Sequence, residues 1–466
     1  MAETRDEGAA RACADGARRY AEGTRTKVPF VSKSQLERIV ASHPTPLHLY
    51  DEHEIRARAR ALAAAFSWNE GFKEYFAVKA TPNPRILQVL AEEGCGADCA
   101  TDTELVLARA VGLSGTDVML SSNDTPDETY RLAHELGAII NLDSADMVDC
   151  LVRSLGGAAR LPRLVCLRLN PGGSFEADNQ IIGSPEESKF GMTLEQLLDA
   201  ARRLRDLGVR ELGLHAFLAS NTQGEAYYPK LAEVLFACAV RVRDEVGLPV
   251  RLIDLSGGVG VAYEPEVVPP DIAAIGRGVR AAFERVLVPA GMGDVRVACE
   301  LGRWMLGPAG VLVTRVLHEK VTYRDYLGVD ACAANLMRPA MYDAYHHITV
   351  MGHEGGPDKS RATAERRYNV VGGLCENNDQ FARGRVLPPV EVGDLLVIHD
   401  TGAHGHSMGY NYNGRLRSAE VLLREDGSCE LIRRAETMGD HLSTAMVGEM
   451  AARLEDALGR CGFGPP

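Results

Sequence analysis

From about residue 74 to residue 302 the chain alternates short, nearly continuous apolar runs with longer stretches whose apolar residues recur every three to four positions. The short runs predict strands at EYFAVKA (74–80), CGADCA (95–100), DVMLS (117–121), AIINLD (138–143), LVCLRLN (164–170), ELGLHAF (211–217), RLIDLSG (251–257) and RVACELG (296–302). The stretches between them predict helices at 83–94, 103–112, 126–137, 144–156, 193–208 and 228–247, with one more, 51–67, before the first strand. In 83–94, Ile86, Leu87 and Leu90 share a face. Several helices start after Asn, Asp, Ser or Thr and end at Gly, which satisfies the unpaired groups of a helix terminus. Eight β-then-α units with strands apolar on both faces form the pattern of a (β/α)8 barrel.

Past residue 315 the long helices stop. HEKVTYRDYLGVDA, HHITVMG, RRYNVVGGLC, GDLLVIHDTG, SAEVLLRE and CELIRRAET are short strand patterns separated by turns. They predict a C-terminal β-sandwich or partly closed β-barrel domain. VPFV and LHLY, within 27–50, are expected to add strands to it. The expected division is a polar extension (1–26), a barrel (45–315) and a β-domain built from 27–44 and 316–466. An insertion, 171–191, follows the fifth strand on the face where barrel enzymes carry their chemistry.

Composition narrows the partners. The 45% hydrophobic fraction allows a large core, and a net charge of −13 argues against a broad basic face for nucleic acid. No apolar run reaches membrane-spanning length, so neither nucleic acid nor a membrane is expected as partner. The N-terminus has no apolar core of a secretory signal, which points to a cytoplasmic protein. Eleven cysteines, an odd number without a CxxC pair, read as reduced thiols. Cys95 and Cys99 lack a second pair or a His cluster, and no metal is expected.

Chemistry is sought at the C-terminal ends of the strands. The first ends in Ala77-Val78-Lys79-Ala80, where burial is expected to lower the lysine pKa and free its amine as a nucleophile. The seventh runs into Ser256-Gly257-Gly258-Val259-Gly260, whose glycines let backbone N–H groups approach a phosphate. The eighth ends in Glu300-Leu301-Gly302-Arg303. An amine, a phosphate cradle and a carboxylate at one rim suit pyridoxal 5′-phosphate: lysine for its aldehyde, glycines for its phosphate, carboxylate for its ring nitrogen.

Over roughly residues 45–440 the sequence resembles the fold-type III pyridoxal-dependent decarboxylases, and within them the diaminopimelate decarboxylases. The resemblance is carried by YFAVKA (75–80), GADCATDTEL (96–105), LRLNPG (167–172), SKFGM (188–192), DLSGGVGVAY (254–263), CELGR (299–303), VDACAANLMRPAMYDAYHH (329–347), LCENND (374–379) and DTGAHGHSMGYNYNGRLRSAEVLL (400–423). It implies an alanine racemase-like barrel joined to a β-domain. It implies that Lys79 attaches the cofactor, Glu300 pairs with its ring nitrogen, and Ser220, Gly257, Gly258 and Gly302 hold its phosphate. Asp98 and Glu104 match acidic positions that support the lysine. Arg303, Arg338 and Tyr342 match substrate contacts, the last two a clamp on a distal carboxylate. Cys375 and Glu376 match a pair that reaches the neighbouring subunit's site in a homodimer, with Cys375 the proton donor and Glu376 on the distal amino group. Tyr412 matches an active-site tyrosine.

Three positions depart from the family pattern. Phe217 stands where a cofactor-stacking histidine is usual, and a phenyl ring stacks but does not titrate. His404 stands where a tyrosine contacts the phosphate. Leu301 replaces a proline. His346, His347 and His353 read as ordinary core or surface histidines. The function implied is decarboxylation of meso-2,6-diaminopimelate to L-lysine. The alternatives are a decarboxylase of a related substrate (ornithine or lysine type, or from specialised metabolism), a non-catalytic cofactor-binding homologue, and a racemase.

Overall fold

Eight short strands close on themselves in sequence order. The computed structural model of the chain describes residues 27–172 and 186–461, so the extension 1–26, most of the 171–191 insertion and the last five residues lie outside the described residues. Strand β1 (Leu47–Asp51) precedes the closed set. That set is β2 (Lys73–Ala77), β3 (Gly96–Cys99), β4 (Val118–Ser122), β5 (Ile139–Leu142), β6 (Leu164–Arg168), β7 (Glu211–His215), β8 (Val250–Asp254) and β9 (Arg296–Cys299), all parallel, with β2 also pairing β9. Tyr75, Met119, Ile139, Cys166, Leu252 and Ala298 form an apolar cluster among these strands. Gly213 is required there, because a side chain at that position would run into the Cys166 sulfur.

The helices follow their caps. Asn83 accepts from the Arg85 N–H ahead of Pro84–Glu92, and Thr193 and Gln196 form a capping box ahead of Leu194–Asp206. Gly137 and Gly156 end two others in the left-handed conformation. Among the described residues no helix is long and apolar enough to cross a membrane.

The chain separates into two compact units. Among the described residues, one holds those of Arg58–Ala262 and Pro269–Gly307; the other holds those up to Ala57, Tyr263–Val268 and those from Pro308 onward. The second unit contains a nine-stranded, mostly antiparallel sheet. Its further strands are β10 (Gly310–Val321), β11 (Asp325–Val329), β12 (Ile348–Gly352), β13 (Arg366–Val371), β14 (Gln380–Leu387), β15 (Leu395–Ile398), β16 (Ala419–Leu423) and β17 (Cys429–Arg433). The main path runs β14-β13-β11-β10-β1-β16-β17, with β15 pairing both β10 and β12. Alternation along β10 serves two cores. Leu312 packs with Leu327, Tyr368 and Phe381, whereas Val311 and Val313 pack with Leu36, Ile39 and Val40.

Three local expectations are corrected. VPFV (28–31) forms no strand; it leads into a helix, Lys33–Ser42, started by a Ser32–Gln35 capping box, and the Leu36/Ile39/Val40 spacing is helical. LHLY forms the strand expected of it in the β-domain, pairing with β10 and β16 over residues 47–51, so the barrel begins later than the expected residue 45. The first barrel strand stops at Ala77, and Lys79 lies in a single 3₁₀ turn, Val78–Ala80, closed by the Thr81 N–H on the Val78 carbonyl.

Candidate active site

The barrel brings together Lys79, Asp98, Glu300 and the glycine turn. Lys79 Nζ lies 3.2 Å from Asp98 Oδ2, which β3 supplies from a fully buried position. Glu104, in the helix Asp102–Ala110, accepts the Ala100 N–H at 2.6 Å and fixes the turn after β3. Burial opposes a charge on Lys79, but Asp98 and Glu300 outweigh it and raise the pKa. This corrects the expectation of a lowered value. The side chain is half exposed and its amine faces Asp98, so it rests as an ammonium.

Glu300 follows β9 and is buried. Its Oε2 accepts from the Ser256 hydroxyl at 2.7 Å and lies 3.5 Å from His215 Nε2, while Oε1 accepts no hydrogen bond among the described residues. Burial pushes its carboxyl up; His215, Lys79 and Ser256 together bring it below the usual range. Burial also lowers His215, so at neutral pH the Ser256 hydroxyl and the Lys79 ammonium hold the carboxylate.

Backbone geometry makes the cradle. A Cβ at Gly257 would lie 2.7 Å from the Glu300 carbonyl oxygen and 3.6 Å from the Phe217 ring. Gly258 has φ +132°, and a Cβ there would lie 3.0 Å from the Ala219 carbonyl oxygen. Thr222, two residues after Ser220, sends its N–H to the Gly258 carbonyl at 2.8 Å, and its own carbonyl accepts from Gly260 at 2.8 Å. The Ser220 loop and the glycine turn are therefore one cross-linked element. Gly302 begins the short helix Gly302–Leu306, where a Cβ would meet Ala80 Cβ at 2.8 Å; buried Arg303 is next in line. A Glu300 Oε1 without a hydrogen bond among the described residues, a glycine cradle and a lysine, placed after the C-terminal ends of β9, β8 and β2, fit a cofactor with a ring nitrogen, a phosphate and an aldehyde.

The remaining candidates belong to the β-domain. Arg338 opens the short helix Arg338–Tyr342 and is buried; its guanidinium lies over the Tyr263 ring at 4.7 Å and Nη1 is 3.2 Å from His346 Nε2. Tyr342 is exposed at the end of that helix. Cys375 and Glu376 are exposed on a loop clasped by buried Asp379, whose carboxylate accepts from Ala333 at 2.7 Å and Leu374 at 2.8 Å. His404 has φ +56° in a tight loop, and Tyr412 starts a 3₁₀ turn, Tyr412–Gly414. His353 meets Glu391 and Asp394, but the Lys359 ammonium already lies 3.0 and 2.8 Å from those carboxylates.

Two sets of residues were not assigned from the sequence. Arg168, at the end of β6, lies 3.0 Å from Asp143 after β5, and its guanidinium packs over Phe190 at 4.5 Å. Asp143 also accepts the Gly191 N–H at 3.1 Å, which anchors the SKFGM segment. Ser256 and Asp254 prepare the glycine turn through the Ser256 N–H on Asp254 Oδ1 at 2.7 Å. The available signal was a charge ending an otherwise apolar strand.

A family model described as pyridoxal-dependent decarboxylase, pyridoxal binding domain, matches residues 52–307. The chain belongs to the pyridoxal-dependent decarboxylases. This decarboxylase is 37% identical to Protein TabA of Pseudomonas amygdali pv. tabaci, over 87% of this chain and 92% of that one. It is 34% identical to the diaminopimelate decarboxylase of Methanothermobacter thermautotrophicus, over 85% and 91%. Its structure is similar to that of the diaminopimelate decarboxylase of M. jannaschii in complex with L-lysine, with TM-score 0.82 and 27% identity, over 89% and 95%. It is a pyridoxal phosphate-dependent lyase of the diaminopimelate decarboxylase-like type.

Proposed function

We propose that this decarboxylase acts on meso-2,6-diaminopimelate and releases CO2 and L-lysine, a step of lysine biosynthesis. The observation that carries the reading is Arg338, a buried guanidinium seated on Tyr263 and bonded to His346. A guanidinium fork suits a carboxylate and repels an ammonium, so a distal carboxylate fits and the tail of ornithine or lysine does not. The likeness to named diaminopimelate decarboxylases supports the same choice.

When bound, pyridoxal phosphate supplies an aldehyde for the substrate amine and a ring that accepts the electron pair left by departing CO2. Lys79 would hold the cofactor by its aldehyde and would supply the amine that frees the product. Asp98 and Glu104 orient Lys79. Glu300 keeps a proton on the ring nitrogen. In the barrel, Ser220, the N–H groups of Gly257 and Gly258 and the turn at Gly302 would hold the phosphate and Phe217 would stack on the ring, while the resemblance assigns His404 and Tyr412 of the β-domain to cofactor binding. Arg303, Arg338 and Tyr342 bind the substrate carboxylates and Glu376 its distal ammonium. Cys375 delivers a proton to Cα, a role open to a thiol near neutral pH. Cys375 and Glu376 serve the partner subunit's site in a homodimer.

A substrate panel tests the reading. Arg338→Ala is expected to lower kcat/KM for diaminopimelate by about 2–4 kcal/mol, the loss typical of one partner of a buried charge pair, and to leave substrates without a distal carboxylate unaffected. Wild-type turnover of ornithine with diaminopimelate untouched overturns it. Phe217 and His404 favour a second reading, a related diamino diacid as substrate, which the same panel would reveal.

A further inference from the structure

We propose that His346 is a positioning residue that sets the orientation of the Arg338 guanidinium and, through it, selectivity for a substrate carboxylate. The proposal rests on reading Arg338 as the distal-carboxylate clamp.

His346 is fully buried between the short helix Arg338–Tyr342 and β12. Its Nδ1 lies 2.8 Å from the carbonyl oxygen of His399. A carbonyl only accepts, so Nδ1 carries the hydrogen. Its Nε2 lies 3.2 Å from Arg338 Nη1. A guanidinium only donates, so Nε2 presents its lone pair. The ring is thereby assigned as the neutral Nδ1–H tautomer with both nitrogens engaged.

Tyr263 completes the arrangement. Its ring meets the His346 ring edge-on, 5.0 Å between centroids at 68°, and carries the guanidinium 4.7 Å from its centre. Arg338 is therefore fixed by a lone pair at one edge and an aromatic face below. The residues around His346 are themselves braced. Arg385 donates to the His346 carbonyl at 2.9 Å and stacks on Tyr345 at 3.9 Å, and the His399 N–H bonds the His347 carbonyl at 2.9 Å.

The residue type matters. A carboxylate here would fix the guanidinium but cancel its charge and compete with the substrate. A cation would repel it. A neutral imidazole accepts one N–H without bringing a charge of its own, so a long side chain is held ready before the substrate arrives.

The test is a double-mutant cycle on the cofactor-loaded enzyme. His346→Leu is expected to raise KM for meso-diaminopimelate about tenfold or more, to hold kcat within about threefold, and to leave the cofactor absorbance unchanged. His346→Gln, whose side-chain oxygen can accept from Arg338, should recover most of the loss. In an Arg338→Ala background His346→Leu should change KM no further. Equal losses in kcat and KM, an undiminished effect without Arg338, or a Gln variant no better than Leu overturns the proposal. A wild type inert toward diaminopimelate overturns the substrate reading instead. The positioning role is then decided by ¹⁵N-histidine NMR of the wild type, which should give His346 protonated at Nδ1 and bare at Nε2. An Nε2–H tautomer contradicts it, and the same spectrum decides if His346→Leu does not fold.

Discussion

Lys79 and Glu300 carry opposite charges into one rim, where Asp98 and then Glu300 favour the charged lysine and His215, Lys79 and Ser256 favour the charged glutamate. Lys79→Ala should abolish covalent cofactor attachment, read as loss of the visible absorbance band and of borohydride-trapped cofactor. Glu300→Gln keeps the shape but not the charge, so cofactor should still bind while kcat falls on the order of 10²-fold or more. Retained kcat in Glu300→Gln would remove the ring-nitrogen role. The lysine was legible because it ends an apolar strand. Its protonation was not, because the deciding charges come from β3 and from the residue after β9, which only the closed barrel brings near. His346 was passed over for a similar reason: nothing in the sequence ties it to the His399 carbonyl.

At the scale of elements, strands cross-linked by buried polar groups hold the β-domain. Glu420 on β16 accepts from Tyr50 of β1 at 2.6 Å and pairs with Arg433 of β17. Burial would raise its pKa, but His406, Arg433 and Tyr50 lower it from 4.5 to about 2. A carboxylate depressed in this way stabilises the fold above pH 4.5, and that contribution is lost as the pH falls toward 2. Glu420→Gln should therefore cost about 2–4 kcal/mol near neutral pH, with the gap to wild type closing below pH 4 in calorimetric scans. A gap independent of pH would mean that packing, not charge, is lost. In the barrel, Gly257→Ala would press a methyl on the Glu300 carbonyl at 2.7 Å and should weaken cofactor affinity, measured by titration of the apoenzyme. The glycine run was visible in the sequence as a close approach. The helix Lys33–Ser42 was not, since its four-residue apolar spacing follows VPFV, which reads as a strand.

For the whole molecule, acid is the expected weakness. Burial lowers His48 and His347 to about 4 and His406 to about 3, so all three are neutral in the fold. Unfolded histidines take up protons below about pH 6.5, so stability is full above that value and falls as the pH drops toward 4. The melting temperature of the holoenzyme should decline across that window, and a flat profile would contradict the assignment. The proposed sharing of sites across a homodimer makes a second prediction at this scale. Mixing inactive Lys79→Ala and Cys375→Ala enzymes should restore about one quarter of wild-type activity, because half the dimers are mixed and each has one intact site. The overall architecture was the most legible level, since βα alternation and its end near residue 315 follow from periodicity alone. The substrate itself is decided by one measurement. Wild-type enzyme loaded with pyridoxal phosphate should convert meso-diaminopimelate to equal amounts of CO2 and L-lysine and leave ornithine unchanged. CO2 from ornithine or lysine with diaminopimelate intact would contradict it.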